Sequence, residues 1–78
     1  QAKMRQVNLT KVNLTQANLS RTDMVDGSLY KANLIGTNLS DADLLMVNLD
    51  DTDLSKAIMC RTIMNDGKTE NSGCKKTQ

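Results

Sequence analysis

The chain repeats itself every five residues along most of its length. Every fifth residue from Met4 to Met64 is leucine or methionine, thirteen positions in succession without an exception. A small residue (Ala, Gly, Thr or Val) stands two positions before each of them, and nine of the thirteen units carry Asn or Asp in between. This repeat constrains the fold more strongly than any other feature of the sequence.

A period of five excludes both regular backbone forms. On an α-helix, each residue turns by about 100°, so steps of five would scatter the Leu/Met series around the helix. On a continuous strand, the same steps would alternate between its two faces. A backbone that turns once in every five residues keeps the whole series inside, with the small residue pointing inward beside it. We expect successive coils of such a chain to stack about 4.8 Å apart through backbone hydrogen bonds.

Units such as Val7-Asn8-Leu9 and Ala42-Asp43-Leu44 resemble the repeats of the pentapeptide-repeat family, whose consensus is A(D/N)LXX. The resemblance spans about residues 1 to 66. It implies an all-β fold, a right-handed quadrilateral β-helix of about three coils with about twenty residues in each. We therefore expect a β-helical repeat over residues 1–64 and a C-terminal cap with a polar tail over residues 65–78.

The repeat stops after Met64, where Asn65-Asp66-Gly67 is typical of a tight turn. The stretch from Cys60 to Cys74 is similar to the C-terminal end of cyanobacterial and chloroplast lumenal members of the family. We expect residues 65–74 to form a short hairpin-like loop under the last coil. Ile58 and Ile63, which replace the usual polar residue of their units, are expected to be sheltered by this cap.

Cys60 and Cys74 bracket the cap. A disulfide between them would stabilise it by about 3 kcal/mol in the chain-entropy model, and two cysteines that flank one non-repeat segment suit such a link. The alternative is two free thiols. The opening Gln1-Ala2-Lys3-Met4 shows no leader pattern, so the compartment is inferred from the cysteines and the C-terminal resemblance. Together they favour the thylakoid lumen, with the periplasm or the cytoplasm as alternatives.

The composition argues against catalysis and against bound cofactors or metals. The chain has no histidine, the commonest general base and metal ligand, and Tyr30 is its one aromatic residue. The cluster of aspartates does not match a calcium loop, and its members are expected on different sides of the coil. These aspartates are Asp41, Asp43, Asp50, Asp51 and Asp53. We therefore expect no enzyme activity, no cofactor and no metal site.

The charge distribution argues against nucleic acid as a partner or a model. The net charge is +1, with five acidic residues in 41–53 and mainly basic residues on both sides of that stretch. Family members that protect DNA gyrase imitate duplex DNA, which requires a dense negative surface. That function is the alternative for this chain, and the net charge disfavours it. No apolar run approaches the ~20 residues of a membrane span, so we expect no direct membrane insertion.

The favoured hypothesis is a non-enzymatic structural or protein-interaction module. The C-terminal resemblance implies an accessory or assembly subunit bound to a photosystem-type membrane complex on its lumenal side. Twenty-residue stacking would place Val25 above Leu45, with Met46 beside it and with Tyr30 and Ile35 around successive corners. We predict that these five residues bind a protein partner; scattered exposed apolar residues without a function are the alternative.

Overall fold

The computed structural model describes residues 3–74. Parallel backbone bridges join residues twenty positions apart, for example Asn8 with Ser28 and Ser28 with Asn48. The Leu9 N–H donates to the Ser28 carbonyl, and the Leu29 N–H donates to the Asn48 carbonyl, both at 2.9 Å. The chain thus returns beneath itself every twenty residues, and the fold is a β-helix.

A tight turn closes most of the five-residue units. The Val7 N–H donates to the Met4 carbonyl at 3.0 Å, and Val12 repeats this bond with Leu9 at 3.1 Å. The second central residue of most of these turns has a positive φ, which is the geometry of a type II turn; Lys56 is the exception in the repeat. Most of the residues with this φ are not glycine: Gln6, Lys11, Gln16, Arg21, Asp26, Lys31, Asp41, Met46, Asp51 and Arg61.

The Asn or Asp of each unit holds the turn that follows it. The Asn13 Oδ1 accepts the Thr15 N–H at 3.0 Å, and the Asp43 Oδ1 accepts the Leu45 N–H at 3.1 Å. Such a bond from a side-chain oxygen to the N–H two residues later is an Asx turn. This local bond explains why a polar residue with an acceptor recurs between two inward-facing residues.

The Leu/Met series fills the centre of the coil. None of its thirteen members is exposed, and the middle ones are almost completely buried. The prediction that this series lies inside is therefore confirmed. Threonines beside it bond to the backbone: the hydroxyls of Thr37 and Thr62 donate to the carbonyls of Leu14 and Leu39, each at 2.7 Å.

The chain is less tightly stacked near Asp53. The bond from the Lys31 N–H to the Asp50 carbonyl is 3.3 Å long, against 2.9 Å for the equivalent bond of Leu29. Within residues 3–74, no bridge joins Asn33 to Asp53, although Asn13 bridges Asn33. No further coil of the described chain lies beneath this stretch, so its lower edge has no backbone partner to hold it.

A hairpin ends the repeat, but it begins at Thr62, inside the last unit, and not at residue 65 as predicted. Strand β1 (Thr62–Ile63) pairs antiparallel with strand β2 (Thr69–Glu70). The turn between them is closed by the Gly67 N–H, which donates to the Met64 carbonyl at 2.9 Å, and Gly67 has a φ of 87°. β1 also belongs to the repeat, since Ile63 bridges Asp43. The described residues include no helix that could cross a membrane.

A disulfide joins Cys60 to Cys74, with the two Cα atoms 4.7 Å apart. The predicted link is therefore confirmed, and the free-thiol alternative is wrong. Beside it, the Gly73 N–H donates to the Met59 carbonyl at 2.7 Å, which places the end of the cap directly under the core.

The expectation that the cap shelters Ile58 and Ile63 is wrong. Their exposed fractions are 43% and 37%. The cap continues the backbone pairing downward from the last coil and does not cover its sides. An outward-facing residue on those sides therefore stays in contact with solvent.

Candidate functional site

Three of the five predicted partner-binding residues meet at one place on the surface. Val25 and Leu45 are twenty residues apart and stacked, because the Asp26 N–H donates to the Leu45 carbonyl at 3.0 Å. Met46 follows Leu45 in the same turn. Val25 is half-buried, whereas Leu45 and Met46 are 38% and 66% exposed. We call Val25, Leu45 and Met46 the Leu45 patch.

The Leu45 patch borders the hairpin. Leu45 Cδ1 lies 3.8 Å from the point where a Cβ on Gly67 would stand, and the Met46 N–H donates to the Asn65 carbonyl at 3.1 Å. The disulfide-linked cap thus supports the patch from below and the preceding coil supports it from above. The patch is presented on backbone that is hydrogen-bonded on both sides.

The fold does not require apolar side chains at these positions. Leu45 and Met46 are the two central residues of a turn, and neither belongs to the buried core. Other units place polar residues there, such as Ser20 and Ser40 at the position of Leu45. Gln16 adopts the same positive φ as Met46, 59° against 63°. The apolar character of the patch is therefore not explained by folding.

Tyr30 and Ile35 lie elsewhere on the surface. Ile35 is 49% exposed but follows Val25 by ten residues, half of the twenty-residue coil, and so lies on the opposite side of the tube. Tyr30 is a quarter of a coil from Val25 and half-buried, with the Lys31 Nζ 5.4 Å from its ring centroid. The structure does not bring these two residues to the Leu45 patch.

Ile63 extends the same side and was missed by the sequence prediction. It lies directly beneath Asp43, two positions from Leu45 in the unit pattern, and is partly exposed. The repeat itself indicated that Ile63 is exposed, because the position between the small residue and the leucine faces outward in the other units. An isoleucine at that position therefore faces solvent as well.

Two ion pairs are formed within residues 3–74. The Arg5 Nε is 2.8 Å from an Asp23 carboxylate oxygen, and the hydrogen bond from Arg5 lowers the pKa of Asp23. The Arg61 guanidinium meets both oxygens of Asp41, at 2.7 Å and 3.0 Å, and lowers the pKa of that carboxyl. Both pairs join residues about one coil apart, as expected for stacked side chains.

The described surface offers no enclosed site for chemistry. No cavity is present within residues 3–74, and no three His, Cys, Asp or Glu side chains of that part of the chain converge on a point where a metal ion could be held. The two thiols are joined to each other.

A family model described as pentapeptide repeats matches the chain in eight copies, over residues 1–29 and 28–66. Within the described residues, the matched ranges cover the β-helix, and they end two residues after Met64, the last inward-facing methionine. No curated protein matches the chain.

Proposed function

Because the chain belongs to the pentapeptide-repeat family, we propose that it acts as a non-enzymatic protein-interaction module. Its contact surface is the Leu45 patch. The observation that carries the proposal is the pair of exposed apolar residues, Leu45 and Met46, at turn positions that other units fill with polar residues. A group of neighbouring exposed apolar residues is typical of protein contact sites.

We also propose that the tube is a right-handed, four-sided β-helix of about three coils. Four turns in each twenty residues support a square cross-section, and so do the two equal short extents of the molecule, 21 Å each. The right-handed path is supported by the general handedness of connections between parallel strands. A crystal structure with a left-handed or three-sided path would contradict this part of the proposal.

The partner we propose is a photosystem-type membrane complex, to which the protein would bind on the lumenal side as an accessory or assembly subunit. The Cys60–Cys74 disulfide supports an oxidising compartment such as the thylakoid lumen. The similarity of the C-terminal end to lumenal members of the family supports the same location. Imitation of DNA is not favoured, because the net charge is +1.

The test is co-purification of the tagged protein with the membrane complexes of its source. The informative variant is Leu45→Ser/Met46→Gln, which removes the apolar side chains without changing the charge. Both replacements occur at the same turn positions in other units, in Ser40 and Gln16, so the fold is expected to tolerate them. The matched control is Ile35→Ser, which removes an equally exposed apolar residue from the opposite side.

We expect the wild type and Ile35→Ser to co-purify with the same complex and Leu45→Ser/Met46→Gln to be lost from it. Retention of the double variant, or equal loss of the control, would rule out the Leu45 patch as the contact surface. Protease treatment of intact thylakoids tests the location separately. Protection of the protein is expected there, and digestion would contradict a lumenal site.

A further inference from the structure

Three carboxylates surround the Leu45 patch. The Asp43 Oδ1 accepts the Leu45 N–H at 3.1 Å. Asp26 follows Val25, and its N–H donates to the Leu45 carbonyl at 3.0 Å. Asp66 precedes Gly67, the hairpin residue that approaches the Leu45 side chain. The patch is therefore apolar in the middle, with these three carboxylates around its rim and the Arg5–Asp23 pair in the coil above it.

None of these three carboxylates belongs to an ion pair within residues 3–74. The ion pairs within residues 3–74 are Arg5 with Asp23 and Arg61 with Asp41, and neither includes a member of the rim. Asp66 accepts a hydrogen bond from the backbone N–H of Lys68 at 3.0 Å, which leaves its negative charge in place. Arg5, which is already paired with Asp23, is the cation that acts on Asp26 and Asp43 through space. The carboxylates around the patch therefore outnumber the cations that pair with them.

The fold does not require these negative charges. Asn48 makes the same Asx turn as Asp43, since its Oδ1 accepts the Asp50 N–H at 2.9 Å. Gln6 has the same positive φ as Asp26, 61° against 64°. Neutral residues would serve the backbone equally well at both positions, so the acidic rim is not explained by folding.

We propose that the partner presents a basic amphipathic segment to this surface. Its apolar side chains would cover Val25, Leu45 and Met46, and its Lys or Arg side chains would pair with Asp26, Asp43 and Asp66. The inference rests on the proposed function and narrows its partner class. Complementary charge around an apolar centre speeds association and excludes acidic competitors. It also makes binding sensitive to salt, because the rim is exposed.

The probes are two synthetic amphipathic helical peptides with the same leucines, one with Lys and one with Glu at every polar position. The neutralised variant is Asp26→Gln/Asp43→Asn/Asp66→Ser. The matched control, Asp51→Gln/Asp53→Asn/Asp50→Ser, removes the same number of charges from other sides of the tube. Binding is measured by fluorescence anisotropy at low and high salt and mapped by amide chemical shifts.

We expect the wild type and the control variant to bind the Lys peptide, with the affinity falling about tenfold from 50 mM to 500 mM salt. We expect the neutralised variant to bind about tenfold more weakly, Leu45→Ser/Met46→Gln not to bind, and the Glu peptide not to bind the wild type. The largest changes in amide chemical shift should occur at Leu45 and Met46.

Three results would overturn the inference. The first is that the wild type binds the Glu peptide as tightly as the Lys peptide, and the second is that the control variant loses as much affinity as the neutralised variant. The third is a set of amide chemical-shift changes centred on residues 48–57. Unchanged binding of the Lys peptide by Leu45→Ser/Met46→Gln would also overturn it, since attraction would then be charge alone. The interaction function and the basic partner can be disproved independently of each other. If the neutralised variant still co-purifies with the native complex while Leu45→Ser/Met46→Gln does not, the interaction function stands and the basic partner is excluded.

Discussion

At the scale of single residues, each position of the repeat unit answers to a different physical requirement. The leucine or methionine needs apolar volume, the Asn or Asp needs an acceptor for the turn, and the second turn residue needs to tolerate a positive φ. The small residue is limited by the coils above and below it. Gly27 shows this limit most clearly, because Val7 and Val47 occupy the stacked positions on either side.

Replacing Gly27 by alanine should destabilise the protein by about 1–3 kcal/mol, the usual range for an overpacked core. A Cβ there would lie 2.9 Å from the Val7 carbonyl oxygen and 3.0 Å from that of Met24, so the backbone itself must move. Gly36→Ala is the control, since its Cβ would be tight only against the flexible Gln16 side chain, at 3.0 Å, with the Gln16 backbone at an ordinary 3.7 Å, and would strain a φ of 71°. Urea denaturation should show the larger loss for Gly27→Ala; an equal or smaller loss would contradict the packing described.

The Asp41–Arg61 pair predicts a pH dependence. Arg61 holds the pKa of Asp41 below its ordinary value of 3.8. A carboxyl with a lowered folded pKa stabilises the fold at pH values above the ordinary one, and this contribution is lost as the pH falls through the lowered value. In Arg61→Gln, NMR titration should show the pKa of Asp41 rising toward its ordinary value. The pKa of Asp23, which is paired with Arg5, should stay low as the internal control.

The repeat pattern predicted most of the candidate site at this scale. A turn position faces outward in every unit, so Leu45 and Met46 could be recognised as exposed from their place in the unit. The rim aspartates and Ile63 were not recognised as part of the site. Asp66 reaches Leu45 only through the hairpin, whose path the period does not determine. Asp26, Asp43 and Ile63 follow from the twenty-residue stacking, so the repeat did contain the information that places them.

At the scale of elements, the hairpin and its disulfide close the C-terminal end of the core. The Asn65-Asp66-Gly67 turn was predictable, because glycine provides the positive φ that the turn needs. The residue at which the hairpin begins was not predictable. β1 lies inside the last repeat unit, where Thr62 and Ile63 pair with the coil on one side and with β2 on the other. Periodicity alone assigns those residues to the repeat and does not show that they also begin a hairpin.

Removing the disulfide should loosen this element first. Cys60→Ser/Cys74→Ser is expected to lower the free energy of unfolding by about 3 kcal/mol, the chain-entropy value for a loop of this size. Hydrogen exchange should then quicken most at the Gly73 amide, which bonds to the Met59 carbonyl, while the Leu29 amide stays protected. Uniform exchange, or no loss of stability, would show that the cap does not depend on the link.

At the scale of the whole molecule, burial of the inward-facing series varies along the tube. Leu29, Leu34, Leu39 and Leu44 lie between neighbouring coils and are at most 1% exposed. Leu14 and Leu54, in the same column as Leu34, are only half-buried. The middle of the stack therefore carries the largest share of the hydrophobic stabilisation.

Because burial varies along the tube, the same substitution, leucine to alanine, should lower the free energy of unfolding by different amounts at two positions of one column. Leu34→Ala should destabilise by about 3 kcal/mol, as expected for a cavity at a fully buried leucine. Leu14→Ala should cost roughly half as much, because solvent already reaches its side chain. Chemical denaturation of the two variants gives the comparison. A larger loss for Leu14→Ala would mean that the core does not lie where the structure places it.

The central claim is that the chain turns in every five residues and returns beneath itself after twenty. Solution NMR tests it most directly, through the nuclear Overhauser contacts between backbone protons of different coils. We expect contacts at a separation of about twenty residues along the repeat, as between Leu9 and Ser28 and between Leu29 and Asn48. Contacts at separations of three and four residues, as in an α-helix, or no long-range contacts at all, would contradict the claim.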